Sequence, residues 1–291
     1  MPVIEGNLPT GHQSTIRTGL PEAAWRKLNY GIPRSKSTTA QVVDTCGILE
    51  ARSEIDVRVA ALNGNTAAFR ATEDKAFIES MSQQIAETIF YGDVDVHPER
   101  FLGLHGRYND SSAINAEQIL DAGGQGADNA SIWLIGWGND TIHGFYPKGS
   151  KVGLQHKDLG EIDLQDANGN KYRGLGAIYS WDLGLAVKDW RYAVRIANVD
   201  ISDLSADPED TSTANLINLM TEAVEQIHNL GNCTPRFYMP RKVRTKLRQQ
   251  INNKHNVWLK EEEIAGKKVM AFDGIPVRRV DQLLLTEAQY Q

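Results

Sequence analysis

The sequence predicts an α+β fold in which a few helices pack on strands that pair as hairpins. Three observations support this prediction. Apolar residues recur every three to four positions over residues 72–91, 213–230 and 240–252, which is the period of an amphipathic helix. Other segments alternate apolar and polar residues, as half-exposed strands do. Gly, Asn and Asp residues separate these segments at short intervals and predict turns between them.

The composition is that of an ordinary globular protein. The chain has 291 residues, 41% hydrophobic and 23% charged, which suits one large domain or two closely joined ones. The formal net charge is −6, whereas proteins that grip nucleic acids usually carry a basic surplus. Cys46 and Cys233 stand far apart without CxxC spacing, so neither a disulfide framework nor a zinc site is predicted.

The chain carries no visible targeting or membrane signal. Its N-terminus lacks a basic region followed by an apolar run, so no signal peptide is predicted. No stretch reaches the roughly 18 consecutive apolar residues that a membrane span requires. We therefore expect an intracellular protein that makes no membrane contact.

Residues 1–38 are predicted to form an N-terminal arm. They hold four prolines, four glycines and few apolar runs, so they cannot bury enough surface to fold alone. Residues 39–62 are predicted to form a β-hairpin, with a first strand over residues 40–49, a turn over 51–54 and alternating residues from Ile55 to Ala61. Because isolated hairpins are marginally stable, we expect this hairpin to project and contact a neighbour.

A long helix is predicted over residues 72–91, with a length of about 30 Å. Thr72 is its expected N-cap and Gly92 its expected stop. Its predicted core stripe places an apolar residue at every fourth position, namely Phe77, Met81, Ile85 and Ile89.

The middle of the chain is predicted to be loop-rich at first and β-rich afterwards. A short helix is expected over residues 116–122, and the Gly-rich run 121–128 is expected to be a loop, since it lacks a phosphate-binding lysine. Hairpins are predicted to turn at Asn139 and Asp140 and again at Asn168 and Gly169. A long strand system follows over residues 178–199, and residues 201–210 are expected to be an acidic, solvated loop.

The last third is predicted to contain two helices and several short strands. The helices cover residues 213–230 and 240–252, and the strands cover 236–239, 257–259, 267–272 and 276–280. The second helix carries five cations, for which a solvated face or a protein contact is favoured over nucleic-acid binding, because no aromatic residues interleave to stack bases. These cations are Arg241, Lys242, Arg244, Lys246 and Arg248.

No motif for chemistry is visible. The sequence has no HExxH, GxSxG or P-loop, and its seven histidines are never paired at helical spacing. Asp166, Asn168 and Asn170 have the spacing of a calcium loop, but Lys171 stands where that loop needs glycine, so a hairpin turn is preferred. We therefore expect no catalytic residues, no cofactor-binding residues and no metal ligands.

Three segments together carry a family resemblance. Residues 69–110, 179–200 and 272–284, in this order, resemble major capsid proteins of the Hong Kong 97 type from tailed bacteriophages. The resemblance implies an N-terminal arm (1–38), an extended β-hairpin loop (39–71), a spine helix with a peripheral β-region (72–199) and an axial domain of helices on a sheet (200–291). It implies a non-enzymatic subunit of an icosahedral shell.

The resemblance also implies the partners. Copies of the chain would form hexamers and pentamers in the host cytoplasm, enclose packaged double-stranded DNA without sequence-specific binding, and become part of the virion. Many relatives begin with a long, removable scaffolding segment, and the short arm here implies a separate scaffold protein or none. Separate scaffold and portal proteins are the expected partners, and a decoration protein is left open. The alternatives are an encapsulin-like nanocompartment shell and a soluble enzyme with an unrecognised site over residues 131–175.

Some relatives join their subunits by isopeptide bonds from a lysine of the extended loop. A neutral amine is the nucleophile in such a reaction. Residues 37–74 contain no lysine, and Lys36 and Lys75 flank the predicted hairpin. An arginine guanidinium stays protonated and cannot replace the amine. The resemblance, combined with this absence, predicts a shell held by non-covalent contacts alone.

Overall fold

The computed structural model describes residues 1–62, 64–205, 214–253, 259–264 and 267–290. Its α-helices are α1 (Val57–Ala61), α2 (Thr66–Tyr91), α3 (Leu104–Arg107), α4 (Leu216–Gln226) and α5 (Arg241–Asn253). Its strands are β1 (Val3–Glu5), β2 (Gly11–Gly19), β3 (Thr38–Asp56), β4 (Ile119–Asp121), β5 (Asn129–Trp137), β6 (Ile142–Tyr146), β7 (Gln155–Gln165), β8 (Lys171–Val187), β9 (Ala193–Asp200), β10 (Thr234–Met239), β11 (Leu259–Ile264), β12 (Lys267–Phe272) and β13 (Ile275–Arg279).

These strands form one large mixed sheet. The main path runs β11-β12-β13-β10-β5-β6-β8-β3-β2, with β9 beside β5, β4 beside β9, β7 beside β8 and β1 beside β6. Most neighbours are antiparallel, while β1 with β6, β4 with β9 and β10 with β13 are parallel. Helices and strands therefore coexist in the mixed arrangement that the α+β prediction requires.

The main hydrophobic core contains buried residues of helices α4 and α5 and of strands β5 and β9. Every residue of β5 is buried, and so are the residues of β9 before Asp200, as expected for strands covered on both faces. The apolar residues that recur at helical spacing along α5, Val243, Leu247 and Ile251, are all buried in this core. The prediction for this helix is confirmed, because its apolar residues keep one helical face.

Helix α2 begins six residues before the predicted start. Asn65 caps it by accepting a hydrogen bond from the Ala68 amide at 3.1 Å, whereas the Thr72 hydroxyl donates to the Ala68 carbonyl inside the helix. The predicted end at Gly92 is confirmed. Glycine is needed there for space, since a Cβ would lie 2.2 Å from the Phe101 carbonyl oxygen.

The predicted stripe of α2 packs against two different clusters. Met81 and Phe77 cover Tyr179 and Ala177 of β8, with the Phe77 and Tyr179 rings stacked at 6.2 Å. Ile85 and Ile89 are half-buried against the main core. The stripe is therefore real but only partly enclosed within one subunit.

Replacing Ile85 by aspartate is expected to lower the free energy of unfolding by about 3 kcal/mol, because a carboxylate would enter an apolar contact without a partner. Ile78→Asp, two helical turns earlier on an exposed position, is the matched control and should cost less than about 0.5 kcal/mol. Chemical denaturation of both purified variants measures the difference. Equal stability of the two variants would show that Ile85 makes no net apolar contact.

The hairpin predicted over residues 39–62 is wrong. β3 is one strand of 19 residues; its first part pairs with β2, from Gly19↔Thr38 to Gly11↔Thr45. Its second part pairs with β8, from Cys46↔Gly184 onward. The predicted turn at 51–54 lies inside this ladder, and the strand expected from Ile55 to Ala61 gives way to helix α1. The sequence identified residues 40–49 as a strand without identifying its partner, and the alternation from Ile55 to Ala61 was misleading, because the strand ends at Asp56.

The N-terminal arm is also more ordered than predicted. β1 pairs in parallel with β6, and β2 forms a long antiparallel hairpin with β3. Residues 20–37, which connect these two strands and are exposed throughout, are named the tip. The projecting hairpin of this fold is therefore the β2–β3 hairpin, which lies earlier in the chain than expected.

Three further elements differ from the sequence prediction. β5 and β6 do not form a hairpin, because they meet in parallel at a single pair, Trp137↔Ile142, and β5 pairs instead with β9 and β10. The helix predicted over 116–122 is a 3₁₀ turn followed by β4. α4 ends at Gln226, which leaves Leu230 exposed.

Other predictions are confirmed or lie outside the described residues. The hairpin turning at Asn168 and Gly169 is present between β7 and β8, and the predicted strands at 236–239, 267–272 and 276–280 coincide closely with β10, β12 and β13. Position 213 of the predicted helix, 257–258 of a predicted strand and 206–210 of the acidic loop lie outside the described residues. None of the described helices has the length and apolar character needed to cross a bilayer.

Candidate functional site

The calcium-like spacing belongs to the β7–β8 turn. The Asp166 carboxylate accepts hydrogen bonds from the backbone amides of Asn168 and Asn170 at 2.9 and 2.8 Å, and from the Asn170 side chain. These hydrogen bonds lower the pKa of Asp166. The carboxylate thus closes the turn, and Gly169 supplies the positive φ of 83° that the turn requires.

The Gly-rich run 121–128 serves close packing beside β9. The Gly124 amide donates to the Asn198 carbonyl at 2.9 Å, and a Cβ at Gly124 would lie 2.4 Å from that oxygen. Asn198 in turn exchanges two hydrogen bonds with the Tyr290 backbone, which ties the C-terminal segment to the same strand. The run is a loop, as predicted, and Gly124 allows close backbone contact that the loop prediction did not anticipate.

Titratable side chains form no obvious metal site. In the parts of the chain that the structure describes, no group of three or more His, Cys, Asp or Glu side chains is placed to hold a metal ion. The expectation of no catalytic, cofactor-binding or metal residues stays a prediction. The fold does bring His12 and His143 together, with ring centroids 5.6 Å apart, although they are 131 positions apart in the printed sequence.

The tip of the β2–β3 hairpin presents apolar side chains to solvent. Trp25 is fully exposed, and Leu28 keeps 86% of its surface accessible. The other large apolar residues of the tip are also exposed, namely Leu20, Tyr30 and Ile32. Four cations against one carboxylate accompany them between positions 20 and 37. Several large apolar side chains exposed within one short segment make the tip a candidate surface for a protein contact.

The cations predicted on α5 lie beside two more on β13. Asp281 accepts from Arg241 at 3.0 Å and lies 3.3 Å from Arg279. Burial lowers the pKa of Arg244, and its neighbours Arg248, Arg279 and Arg278 lower it further. This basic face therefore places several like charges close together, which makes the local potential positive.

A buried ion pair connects β9 with the C-terminal segment. Arg195 donates to Glu287 at 2.8 Å, to the Ser131 hydroxyl at 3.0 Å and to the Tyr108 carbonyl at 2.8 Å. Glu287 also accepts from the hydroxyls of Tyr91 and Ser131, both at 2.5 Å. The two charged side chains are 1% and 2% exposed, so each charge is compensated inside the protein.

Sequence reasoning missed this ion pair, although one signal was present. Arg195 is the sole charged residue within the apolar run 192–199, and a charge inside a buried strand requires a partner. Its partner lies 92 positions away, which no local pattern connects to it. The tip was missed for a similar reason, because β2 and β3 are separated by 18 connecting residues.

Comparison with known proteins places these features in a family. The family model described as Major capsid protein GP7 matches residues 1–291. No curated protein matches the chain. The solved capsid of bacteriophage Epsilon15 is similar, with 31% identity, a TM-score of 0.74, and coverage of 98% of this chain and 86% of that one. The bacteriophage JBD30 capsid shares 9% identity at a TM-score of 0.51, over 97% of this chain and 88% of that one, and this indicates the fold alone.

Proposed function

The chain belongs to the Major capsid protein GP7 family, and from this premise we propose how its surfaces build a shell. It is a structural subunit of a bacteriophage capsid with a Hong Kong 97-like fold, and it assembles with copies of itself as a component of the virion. The family is one of structural proteins and not a class of enzymes. The finer proposals concern which surfaces meet and what the shell contains.

The β2–β3 hairpin is the proposed extended loop, and its tip lies on a neighbouring copy in the shell. The support for this proposal is the exposure of large apolar residues at the tip, which have no contact to make within their own subunit. The division of the chain into arm, extended loop, spine helix with peripheral region, and axial domain stays a prediction, with one change of boundary. The extended loop moves from 39–71 to the hairpin formed by β2, the tip and the first part of β3, and β1 remains the arm.

The contents and the accessory partners are also proposals. Copies would form hexamers and pentamers in the host cytoplasm and enclose double-stranded DNA without reading its sequence. The net charge of −6 supports this, because a mildly acidic subunit does not adhere strongly to phosphate. Separate scaffold and portal proteins complete the proposed assembly, which requires no catalytic residue of this chain.

Electron microscopy of the expressed chain, followed by analysis of particle contents, tests the function. We expect closed shells and, after assembly during phage infection, nuclease-protected DNA inside them. Shells that retain a protein cargo and never DNA would favour a nanocompartment. A chain that stays monomeric under all assembly conditions would overturn the proposal.

Limited trypsin digestion is expected to cut free subunits within the tip and to spare the same sites in assembled shells. The tip offers exposed cleavage sites at Arg26, Lys27, Arg34 and Lys36, whereas strand residues such as Arg195 are buried. Mass spectrometry of the fragments identifies the sites. Equal cleavage in both forms would mean that the tip has no contact in the shell.

Boiling shells in denaturing detergent is expected to release one band near 32.3 kDa. The tip of the β2–β3 hairpin contains Lys27 and Lys36, so the absence of lysine from residues 37–74 does not by itself exclude a covalent bond from this loop. Both lysines are exposed in the subunit, whereas an isopeptide bond needs a neutral amine as its nucleophile. A ladder of multimers that disappears in the Lys27→Arg variant would contradict the prediction and identify the reacting amine.

A further inference from the structure

Two histidines meet at the root of the β2–β3 hairpin. His12 of β2 and His143 of β6 pack edge to face, with ring centroids 5.6 Å apart. His143 is only 1% exposed. Neither of its ring nitrogens has a hydrogen-bond partner among the described residues, and neither has the Nδ1 atom of His12. Polar atoms that are buried and unpaired in this way are uncommon in folded proteins and call for an explanation.

The charged groups around the pair act on it in opposite directions. Asp44 of β3 is 5% exposed; one carboxylate oxygen accepts from Arg107 of α3 at 2.6 Å, while its Oδ2 has no hydrogen-bond partner among the described residues, and its charge favours the protonated form of both imidazoles. Lys188, just after β8, adds a positive charge that disfavours protonation of both imidazoles.

Two further polar groups complete the surroundings. Asp140 pairs with the Lys188 amine from the solvent side. The Gly138 backbone faces the His143 ring and favours its protonated form, without reaching ordinary hydrogen-bond geometry. An imidazolium formed at this position would have to share Asp44 with Arg107, and burial and the Lys188 charge would oppose it.

The pair lies where the β2–β3 hairpin leaves the body of the subunit. β3 changes its partner between Thr45, which pairs with Gly11 of β2, and Cys46, which pairs with Gly184 of β8. His12 lies opposite Asp44 at this point of departure, so the pair joins the hairpin to the body. Beyond it, a cleft of about 770 Å³ separates the hairpin from the segment 188–191 and leaves room for the hairpin to move.

We propose that the His12–His143 pair is an acid-sensitive latch, which holds the root of the hairpin on the body when both rings are neutral and releases it when they take up protons. Burial is the largest cause that lowers the pKa of each histidine. A folded-state pKa below the unfolded value of about 6.5 means that the contact is fully stable above that pH and is lost as the pH falls below it.

Hydrogen exchange of the full-length unassembled chain at pH 7.5 and pH 5.5, corrected for intrinsic rates, tests the latch. The amides of β2 and of the β3 segment that pairs with it report opening of the root. In the wild type we expect opening to increase about tenfold or more over this range. The double variant His12→Gln/His143→Phe removes both titrating groups and should open equally at both pH values.

Two single variants keep the test decisive if the double variant does not fold. His12→Gln, at a half-buried position, leaves one titrating ring and should reduce the pH dependence clearly. His97→Gln is the matched control, because His97 lies on an exposed loop and its loss should leave the wild-type pH dependence intact. The proposal is overturned if wild-type opening is independent of pH, if the His12→Gln or double variant retains the full dependence, or if the control loses it.

Discussion

Replacing Arg195 by methionine is expected to lower the free energy of unfolding by about 3–5 kcal/mol, because it leaves the Glu287 carboxylate buried without its counter-charge. Both side chains are almost completely inaccessible, and Glu287 would retain only its hydrogen bonds from Tyr91 and Ser131. Methionine keeps most of the side-chain length, so loss of packing contributes little. Chemical denaturation of the purified variant measures the effect.

Arg173→Met is the matched control for this measurement. Arg173 also lies in a strand and faces a carboxylate, Asp163, at 3.6 Å, but both side chains are more than 60% exposed. Its replacement should change stability by less than about 1 kcal/mol. A second test replaces both partners of the buried pair, Arg195→Met with Glu287→Leu, and should recover part of the lost stability. Similar losses from Arg195→Met and from the control would refute the role of the ion pair.

Deleting residues 23–34 and bridging the gap with two glycines is expected to abolish shell assembly while the subunit still folds. The ends of this deletion lie close together, since the Ser35 hydroxyl donates to the Glu22 carbonyl at 2.7 Å. The deletion removes the exposed Trp25 and Leu28. Aromatic anchors of this kind contribute about 2 kcal/mol or more each to an interface, and the loss repeats at every contact of a shell.

Analytical ultracentrifugation and thermal unfolding separate assembly from folding in this variant. We expect only slowly sedimenting subunits, with a melting temperature close to that of the wild type. A companion variant changes Arg26, Lys27, Arg34 and Lys36 to glutamine and keeps the apolar residues. It should assemble in part, because exposed charges contribute less than buried aromatic anchors. Normal shells from the deletion variant would remove the tip from the proposed interface.

The deletion differs from one that the sequence alone would suggest. Removing residues 45–57, the apparent hairpin, would cut through the ladder between β3 and β8 and also remove the first residue of α1. Such a variant is expected to lose stability rather than assembly alone, because it removes strand pairing from the sheet. The tip is the appropriate target, since its residues make few contacts within the subunit.

Several features follow from local sequence alone. The apolar stripe of α5, the stop of α2 at Gly92 and the turn at Gly169 each depend on residues close in the chain, so periodicity and turn chemistry were sufficient to identify them. The order of the segments that resemble capsid proteins was also readable, and the family match over residues 1–291 agrees with it. The helix stripe, the helix stop and the turn are local signals, because each reflects the backbone conformation of a short segment or the one buried face of a single helix.

Other features were decided only by the tertiary structure. Residues 40–49 were predicted to be a strand, but whether β3 pairs with β2, with β8 or with itself depends on contacts between distant segments. The partner of Arg195 and the meeting of His12 with His143 are long-range in the same sense. The sequence by itself therefore determined the fold class and the family. The location of the projecting hairpin and the buried polar contacts required the folded chain, because side chains distant in sequence become neighbours only when the sheet is assembled.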